Sequence, residues 1–511
     1  MDESIIPILV GCGQITQKED NPLEALPPID LTAKACIEAA KDTDIGNILL
    51  HKLDTIVTIR SFSDTSWRFK CPYGRYSNPS LSLAKRINAN DVKKHIYTFP
   101  GGNMPQWSIN RIFKLISKGK AKTVLLAGGE SLFTQKNAQR KGINLNWNED
   151  LGNNYIEWGV DKRGWTDIED DHGMRGAIFA YPLIENAIRG NENRSISEHN
   201  IEMGKILEKF SIVAKNNPLA DRRHGYTSKE ISEVSDKNPY IGFPYTKLMN
   251  ANAYIDQSAA VIMTTVQHAK ELGINKNKWV YLHGCADTYD HWYLSNRVNY
   301  YSSPAMKVAC DEALKMANCK INDIDFFDIY SCFPSAIKIA CDEMNIDINT
   351  NKNLTVTGGL PYFGGPGNNY VTHSISEIMN RVRKNIGSKG MVTANGNYIT
   401  KQSVGVYSSE PPNKEFSPIN PNIYQEAINN KKGPNFINVA NGNAFIETYT
   451  VINDKKGPSY AIVFGRLEDG SRFISNTPHD KNLLIDMMNN DYLNVKGLVK
   501  NKNNLNIFKP N

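Results

Sequence analysis

Eight cysteines are spread through this 511-residue chain, and one of them occupies a position where a thiol could act as a nucleophile. Cys332 lies in a strand-to-helix turn, between the β-rich run at 324–329 and the helical pattern at 334–344. The N-terminus of a helix lowers the pKa of a nearby thiol, which makes the thiol more reactive. A buried free cysteine, however, is more often a small core residue. Both roles therefore stay open for Cys332.

Three other side chains in the second half of the chain could hold or move a proton. His373 comes eight positions after Gly365, one or two turns into the following helical pattern, where an inward ring could approach a pocket. His283 lies close to the end of a predicted strand. A structural role is the alternative for both histidines. Lys401 is expected at the surface or against a phosphate, rather than in a Schiff base.

Glycine-rich turns that could bind a ligand occur in two matching segments. Residues 99–130 and 362–397 each run in the order aromatic residue, Gly-Gly, helix, basic linker, apolar strand and glycine-rich turn. This matching order indicates a duplicated α/β half, the alternative being two unrelated βαβ units. A helix that begins at such a turn presents free backbone N–H donors and a partial positive charge. The residues of these turns are Gly101, Gly102, Asn103, Gly364, Gly365 and Gly396.

The elements around these turns are those of a buried sheet covered by helices. Short β-rich runs alternate with amphipathic helical patterns, which predicts an α/β fold. We expect 1–275 to form one half, interrupted by an insertion at about 135–245 that is rich in Asn, Asp, Arg and Trp. We expect 276–412 to form the second half. From 413 to 511, short alternating strands with turns predict a small β-barrel or antiparallel sheet.

Composition and targeting signals exclude several classes of protein. The net charge of +6 is dispersed, without the long basic run that would follow a phosphate backbone, so no nucleic-acid partner is expected. The cysteines form no C-x-x-C pair, so neither a metal site nor a disulfide scaffold is expected. Residues 1–11 lack the features of a signal peptide, and no later stretch is long and apolar enough to span a membrane. We expect a cytoplasmic location.

Several short strings make the chain resemble the thiolase superfamily. The segment 252–260 resembles the Asn-Ala-Ser-Gly…Asn-Asp-Gly-Ala-Ala segment of thiolases, and 357–366 resembles their Asn-Gly-Gly…Gly-His-Pro segment. The string at 330–333 falls where thiolases carry Asn-Glu-Ala-Phe or, in sterol-carrier thiolases, His-Asp-Cys-Phe. The strings FPGGNMPQ, PYTKLMNAN, YSCFPSA and GRLEDGSRFISNTP are similar to thiolase-like proteins of type 1, whose C-terminal extension is a small OB-like β domain.

The resemblance implies a duplicated thiolase fold with α-β-α-β-α layers and an acyl-coenzyme A thioester as substrate or ligand, with no other cofactor. It also implies a Cys/His/Cys catalytic set, which this chain lacks. The nucleophile segment at 100–103 contains no cysteine, the histidine of Gly-His-Pro falls on Gly365, and the final Cys-x-Gly falls on 394–396. Standard Claisen chemistry is therefore not expected. Cys332, His373 and Asn103 are the remaining catalytic candidates.

Three functions follow from this comparison. The first is an acyltransferase-type protein of lipid metabolism, similar to acetyl-CoA acetyltransferase but with a rebuilt site. The second is a non-catalytic acyl-CoA-binding module whose β domain docks a partner. The third is a thioester hydrolase or acyltransferase that uses Cys332. The resemblance leaves a monomer and a homodimer open.

Overall fold

The first half of the chain builds a mixed sheet with helices on both faces. A computed structural model describes residues 2–511. The strands of this half are β1 (Pro7–Gln17), β2 (Thr55–Thr58), β3 (Lys94–Thr98) and β4 (Val124–Ser131), and its helices are α1 (Pro28–Lys41), α2 (Pro79–Arg86), α3 (Met104–Ile116) and α4 (Leu132–Lys141).

An insertion of mainly helical structure separates β4 from the last strand of this half. Its elements are β5 (Ile156–Trp158), α5 (Asp167–Asp171), α6 (Ala177–Asn191), α7 (Ile196–Asn216), α8 (Ser228–Ser232), β6 (Tyr240–Gly242) and β7 (Tyr245–Thr246). The half closes with β8 (Asp256–Thr265) and α9 (Val266–Glu271). The first sheet has the order β1-β8-β4-β2-β3-β5, in which β8 runs antiparallel to β1 and β4.

The second half repeats this arrangement with a smaller sheet. Its elements are β9 (Tyr281–Tyr289), α10 (Pro304–Met316), β10 (Phe326–Asp328), α11 (Pro334–Glu343), α12 (Tyr370–Lys384), β11 (Lys389–Gly396) and β12 (Lys401–Ser408). The sheet order β9-β12-β11-β10 matches β1-β8-β4-β2. The pairings also match, because both orders run antiparallel, antiparallel, parallel. The predicted duplication is therefore confirmed.

The helices α3 and α12 lie between the two sheets, and each packs against strands of both. One large apolar core joins Ile109 of α3 and Ile375 of α12 to Val261 of the first sheet and Val404 of the second. A separate core packs α1 against the other face of the first sheet. Helix α10 packs on β9 and β12. The result is the α-β-α-β-α layering that the resemblance to thiolases implies.

A closed barrel follows the second half. Helix α13 (Pro421–Asn429) precedes the barrel. The elements of the barrel domain are β13 (Gly442–Asp454), β14 (Gly457–Leu467), β15 (Arg472–Asn476), α14 (Lys481–Asn489), β16 (Lys496–Lys502) and β17 (Leu505–Pro510). The five strands close in the order β13-β14-β15-β17-β16, and β16 pairs back to β13. The predicted small C-terminal β-barrel is confirmed. The expected domain boundaries at 275 and 412 stay predictions.

The insertion contributes strands to the barrel sheet, which the sequence patterns did not indicate. Gly242 of β6 pairs with Ile452 of β13, and β7 pairs with β6. The Phe243 N–H donates to the Val451 carbonyl at 2.9 Å, and the Thr450 hydroxyl donates to the Phe243 carbonyl at 2.9 Å.

Within residues 2–511, no helix is both long and apolar enough to cross a membrane.

Candidate functional site

The first glycine-rich turn lies in the middle of the molecule, at the start of α3. Pro105 occupies the first turn of α3, where a missing backbone N–H costs no hydrogen bond, and Asn103 directly precedes the helix. A Cβ on Gly102 would overlap the Tyr330 hydroxyl and would lie 2.6 Å from the Asn395 carbonyl oxygen. Only glycine therefore allows the two halves of the chain to approach this closely at the helix N-terminus.

Lys401 lies beside this turn and is buried. It is 8% exposed, and its Nζ donates to the Pro100 carbonyl oxygen at 2.6 Å. The expectation that Lys401 lies at the surface is wrong, because β12 is an inner strand between β9 and β11 and its residues 401–408 are all buried. Burial lowers the pKa of the Lys401 amine to about 8.

Polar side chains join α3 to the second sheet below Lys401. The members of this polar seam are Asn103 just before α3, Gln106 and Asn110 on α3, and Asp287, Ser403 and Tyr407 of the second sheet. The Tyr407 hydroxyl donates to Gln106 Oε1 at 2.7 Å, and Gln106 Nε2 donates to Asn110 Oδ1 at 2.8 Å. Asn110 Nδ2 then donates to Asp287 Oδ1 at 3.0 Å. Asn103 Nδ2 approaches the Ser403 hydroxyl at 3.4 Å, whereas its Oδ1 has no partner among the described residues.

A cavity of about 270 Å³ leads from the protein surface to this place. Its inner lining includes Asn103 and Lys401, which are buried, and Asp287, which is half-buried. At its mouth lie Arg111 and Ile419, which are exposed. The remaining lining is mixed and includes the aromatic residues Trp107, Trp292 and Tyr424 and the basic residue Lys114. The cavity can therefore accept a long ligand with an anionic outer part and an apolar or polar inner part.

The carboxyl group of Asp287 is protonated over an unusually wide pH range. Desolvation in the cavity wall raises its pKa to about 7, although Ser403, Asn110 and Lys114 oppose this shift. The folded state thus binds the proton more tightly than the unfolded state, whose pKa is near the ordinary 3.8. The protonated Asp287 therefore contributes to the free energy of unfolding. This contribution is complete below the pKa of Asp287 in the unfolded chain and is lost as the pH rises towards 7.

Replacing Asp287 with asparagine should remove this pH dependence. The amide oxygen introduced at this position can still accept from Asn110, but it never acquires the desolvated negative charge. We expect the stability of Asp287→Asn relative to the parent to rise by about 2–3 kcal/mol between pH 5 and pH 7.5. Thermal denaturation at both pH values measures this change, with the exposed Asp91→Asn as the control. A difference that stays constant with pH would refute the assignment.

The second glycine-rich turn is connected to the first through an asparagine. Asn368 Oδ1 accepts a hydrogen bond from the Gly101 N–H at 3.0 Å. Gly365 donates its N–H to the Asn252 carbonyl, and a Cβ on Gly364 would overlap Gln257. The structure therefore places Gly364 and Gly365 one short loop away from α3. Gly396, by contrast, lies directly against Asn103, because a Cβ there would overlap Asn103 Oδ1.

His373 is buried away from the cavity lining. Its Nδ1 lies 2.8 Å from Gln14 Oε1 on β1, and its ring packs against Phe363 at a centroid distance of 5.1 Å. Burial lowers the pKa of His373 to about 3, so the ring is neutral at physiological pH. His283 is hydrogen bonded to the Glu410 carbonyl at 2.7 Å. The structure brings neither histidine together with Asn103, and the catalytic role of His373 stays a prediction.

Cys332 precedes α11 in the predicted strand-to-helix turn, but it is only 7% exposed. Burial raises the pKa of the Cys332 thiol to about 12, although a hydrogen bond with Tyr181 opposes this shift. The Tyr181 hydroxyl also accepts from Asn395 Nδ2 at 2.9 Å, which links Cys332 indirectly to the α3 turn. The structure thus shows a buried core thiol whose raised pKa disfavours the thiolate, and the catalytic role of Cys332 stays a prediction.

Sequence reasoning missed the polar seam and the burial of Lys401. A signal for the seam was present, because Asn103 at the start of α3 and Gln106 and Asn110 within it recur at intervals of three and four residues. Amide side chains at this spacing, beside the apolar residues Ile109, Ile112 and Phe113, indicate a buried polar surface. No comparable local signal marks Asp287 or Lys401.

Comparisons with known proteins agree with this architecture. Residues 424–504 match the family described as thiolase-like protein type 1 additional C-terminal domain. An acetyl-CoA acetyltransferase of Methanocaldococcus jannaschii is 29% identical over 133 residues, which make up 22% of this chain and 34% of that protein. The matched part thus spans about a third of the length of this relative.

Solved structures extend the similarity to the whole chain. The structure of a monomeric SCP2-thiolase-like protein type 1 from Mycobacterium smegmatis is 30% identical in sequence and has a TM-score of 0.86. The similarity covers 100% of this chain and 100% of that chain. An Ltp2–ChsH2(DUF35) aldolase has a TM-score of 0.58 at 14% identity, over 80% of this chain and 99% of that chain. At this low identity the second similarity concerns the fold alone.

Proposed function

The chain belongs to the SCP2-thiolase-like protein type 1 family, and on this premise we propose that it binds an acyl-coenzyme A thioester in the cavity at the start of α3. The observation that supports this proposal is the position of the cavity, which runs from basic residues at the surface to the N-terminus of a buried helix. A thioester carbonyl at that N-terminus would meet backbone N–H donors and the positive end of the helix dipole.

The charges along the cavity suit a coenzyme A ligand. Arg111 and Lys114 lie one turn apart or less on α3 and can contact the phosphates of the ligand. The guanidinium of Arg111 lies 4.9 Å from the Trp158 ring centroid and 5.4 Å from that of Trp107, which fixes its place near the mouth. The apolar lining around Trp107 can pack against the pantetheine arm.

The second part of the proposal is that the usual Cys/His/Cys chemistry has been replaced. Residues 100–103 offer no thiol, and the Tyr330 hydroxyl fills the space beside Gly102 where a side chain would otherwise stand. Gly365 offers no imidazole. A protein of this kind is related to acyltransferases but does not catalyse the Claisen condensation or its reversal by the standard route.

Calorimetry with coenzyme A and acetyl-CoA tests the binding part. We expect Lys114→Ala to weaken coenzyme A binding about 5- to 10-fold, because it removes a charge that faces the ligand phosphates. Lys118→Ala is the matched control, since Lys118 is exposed beyond the end of α3 and does not line the cavity. Equal affinities of both variants, or no binding by the parent chain, would overturn the proposed site.

Activity assays separate the remaining alternatives. We expect no thiolysis of acetoacetyl-CoA at ordinary thiolase rates, and such rates would overturn the replacement of the catalytic set. Binding without turnover of any acyl-CoA would favour a non-catalytic module. A covalent acyl adduct that Cys332→Ser abolishes would instead favour a hydrolase or acyltransferase that uses Cys332.

A further inference from the structure

The cavity contains a buried amine for which the proposed binding function has no task. Resting on that function, we infer that Lys401 forms an imine with the ketone group of a β-ketoacyl thioester bound in the cavity. The ligand class is thus an acyl chain with a carbonyl two carbons from the thioester carbonyl. The argument depends on the position of the amine, its lack of a counter-ion and the chemistry of amines with carbonyl groups.

The Lys401 amine lies where the inner end of a ligand bound in the cavity would be. A Cβ on Gly101 would lie 2.6 Å from both Lys401 Nζ and Asn103 Oδ1, so these two polar atoms flank the turn that precedes α3. Both residues line the cavity. If the thioester carbonyl lies at the N-terminus of α3, the atoms next along the acyl chain lie within reach of Lys401. A ketone at that position brings its carbonyl carbon to the amine.

The environment of Lys401 differs from that of an ordinary buried lysine. Among residues 2–511, the hydrogen-bond partner of its Nζ is the neutral Pro100 carbonyl, and no carboxylate forms an ion pair with it. Lys338 provides the contrast, because its Nζ pairs with Glu192 at 2.9 Å and with Asp342, and these partners raise its pKa. Lys401 therefore lacks a carboxylate partner, and among the described residues the Trp292 ring, whose centroid lies 5.8 Å from Nζ, gives its charge only distant support. A buried cation with so little compensation favours its neutral form.

The neutral form is the one that reacts. Burial lowers the pKa of the Lys401 amine to about 8, so about a tenth of the amine is neutral at pH 7, against less than a thousandth at the ordinary lysine pKa. The positive end of the α3 dipole also disfavours a charge at this place. A lysine that is desolvated in this way is a known type of carbonyl-reactive nucleophile.

The reaction balances without an added reagent. The lone pair of Lys401 Nζ attacks the ketone carbon, and a C–N bond forms while the carbonyl oxygen takes up a proton. The two hydrogens of the neutral amine and the carbonyl oxygen leave as one molecule of water, and the C=N bond remains. No group is oxidised or reduced in this step.

Reductive trapping tests the inference on the full chain. The chain is incubated with acetoacetyl-CoA and sodium cyanoborohydride, and the modified peptide is identified by mass spectrometry. We expect an adduct on Lys401 that requires the reductant, with a mass gain equal to the ligand minus one oxygen atom. Lys401→Arg, which keeps a donor for the Pro100 carbonyl, should lower total adduct more than 10-fold. Lys338→Arg is the control and should leave the adduct unchanged.

Three outcomes would overturn the inference. The first is the absence of an adduct, the second is an equal adduct in Lys401→Arg, and the third is an adduct of acyl mass that forms without reductant. Acetyl-CoA, which has no ketone, should give no reductant-dependent adduct. Its calorimetric binding is measured in parallel. Binding of acetyl-CoA without trapping of acetoacetyl-CoA rejects the imine but retains the proposed function, whereas failure of binding rejects that function itself.

Discussion

Replacing Gly13 with alanine should destabilise the chain by about 3 kcal/mol or more, because the added methyl group has no room between β1 and α1. A Cβ at this position would overlap the Ala35 carbonyl oxygen and the Ala39 nitrogen, and would lie 2.9 Å from the Glu38 carbonyl carbon. These are backbone atoms of a helix, so the clash cannot be relieved by a change of rotamer. The whole helix would have to move off the sheet.

Chemical denaturation of the parent and the variant measures this loss. Gly164→Ala is the control, because its new Cβ would lie no closer than 3.3 Å to a side-chain atom of Asn397. We expect the control to stay within about 1 kcal/mol of the parent. A similarly small change for Gly13→Ala would show that α1 does not approach β1 as closely as described.

The same close approach recurs in the second half of the chain. A Cβ on Gly284 of β9 would overlap the Ala313 carbonyl oxygen of α10. The first strand of each half therefore carries a glycine against an alanine-containing helix on the outer layer. Gly284→Ala should behave as Gly13→Ala does, and agreement between the two would support an equivalent role for the two strands.

The second large effect is expected where the barrel meets the second half. Arg472 of β15 is 0% exposed, and its Nε and Nη2 donate to the Glu447 carboxylate at 2.8 and 2.7 Å. Its Nη1 donates to the carbonyls of Ser295 and Arg297, outside the barrel. Its guanidinium also lies 4.5 Å from the Tyr300 ring centroid. One buried cation therefore connects the barrel to the segment that follows β9.

Arg472→Ala should cost about 3–5 kcal/mol, because it leaves Glu447 and three backbone carbonyls in a largely buried place with fewer donors. The matched control is Arg466→Ala. Arg466 donates to the same carboxylate at 2.7 and 2.8 Å, but its side chain is 20% exposed and its other partner, Gly470, belongs to the barrel itself. We expect about 1 kcal/mol for this variant.

Thermal unfolding together with limited proteolysis distinguishes the two variants. Arg472→Ala should make the linker between β12 and β13 easier to cleave, since the barrel loses a contact with the second half. Arg466→Ala should not. Equal melting temperatures and equal cleavage rates for the two variants would mean that the buried contacts of Arg472 contribute little.

The sequence predicted the fold through patterns that are local and repeated. Each half shows the same order of aromatic residue, Gly-Gly turn, helix and apolar strand, and the structure pairs the corresponding strands alike. The comparison with thiolases also grouped Gly101, Gly102 and Asn103 with Gly396, which the structure brings together. These residues could be located because their roles depend on short strings.

The surroundings of Lys401 and of His373 depend on distant parts of the chain. Lys401 is followed by Gln402, a pair that is typical of a surface, and its burial comes from strands and a helix that are distant in sequence. His373 was expected one or two turns into a helix, and it is there, but the side of the helix that it occupies faces Gln14. The path of neighbouring elements decides such contacts, and no local pattern encodes it.

The strand contributed by β6 has a consequence for how the C-terminal barrel could be inherited or transplanted. If residues 413–511 were moved to another protein without 240–246, the end of β13 near Ile452 would keep its pairing with β14 but lose its partner on the other edge. Unpaired N–H and C=O groups would then be exposed along an apolar edge, which invites association between copies. A transplanted barrel should therefore carry the β6 segment with it, or a substitute that covers this edge of β13.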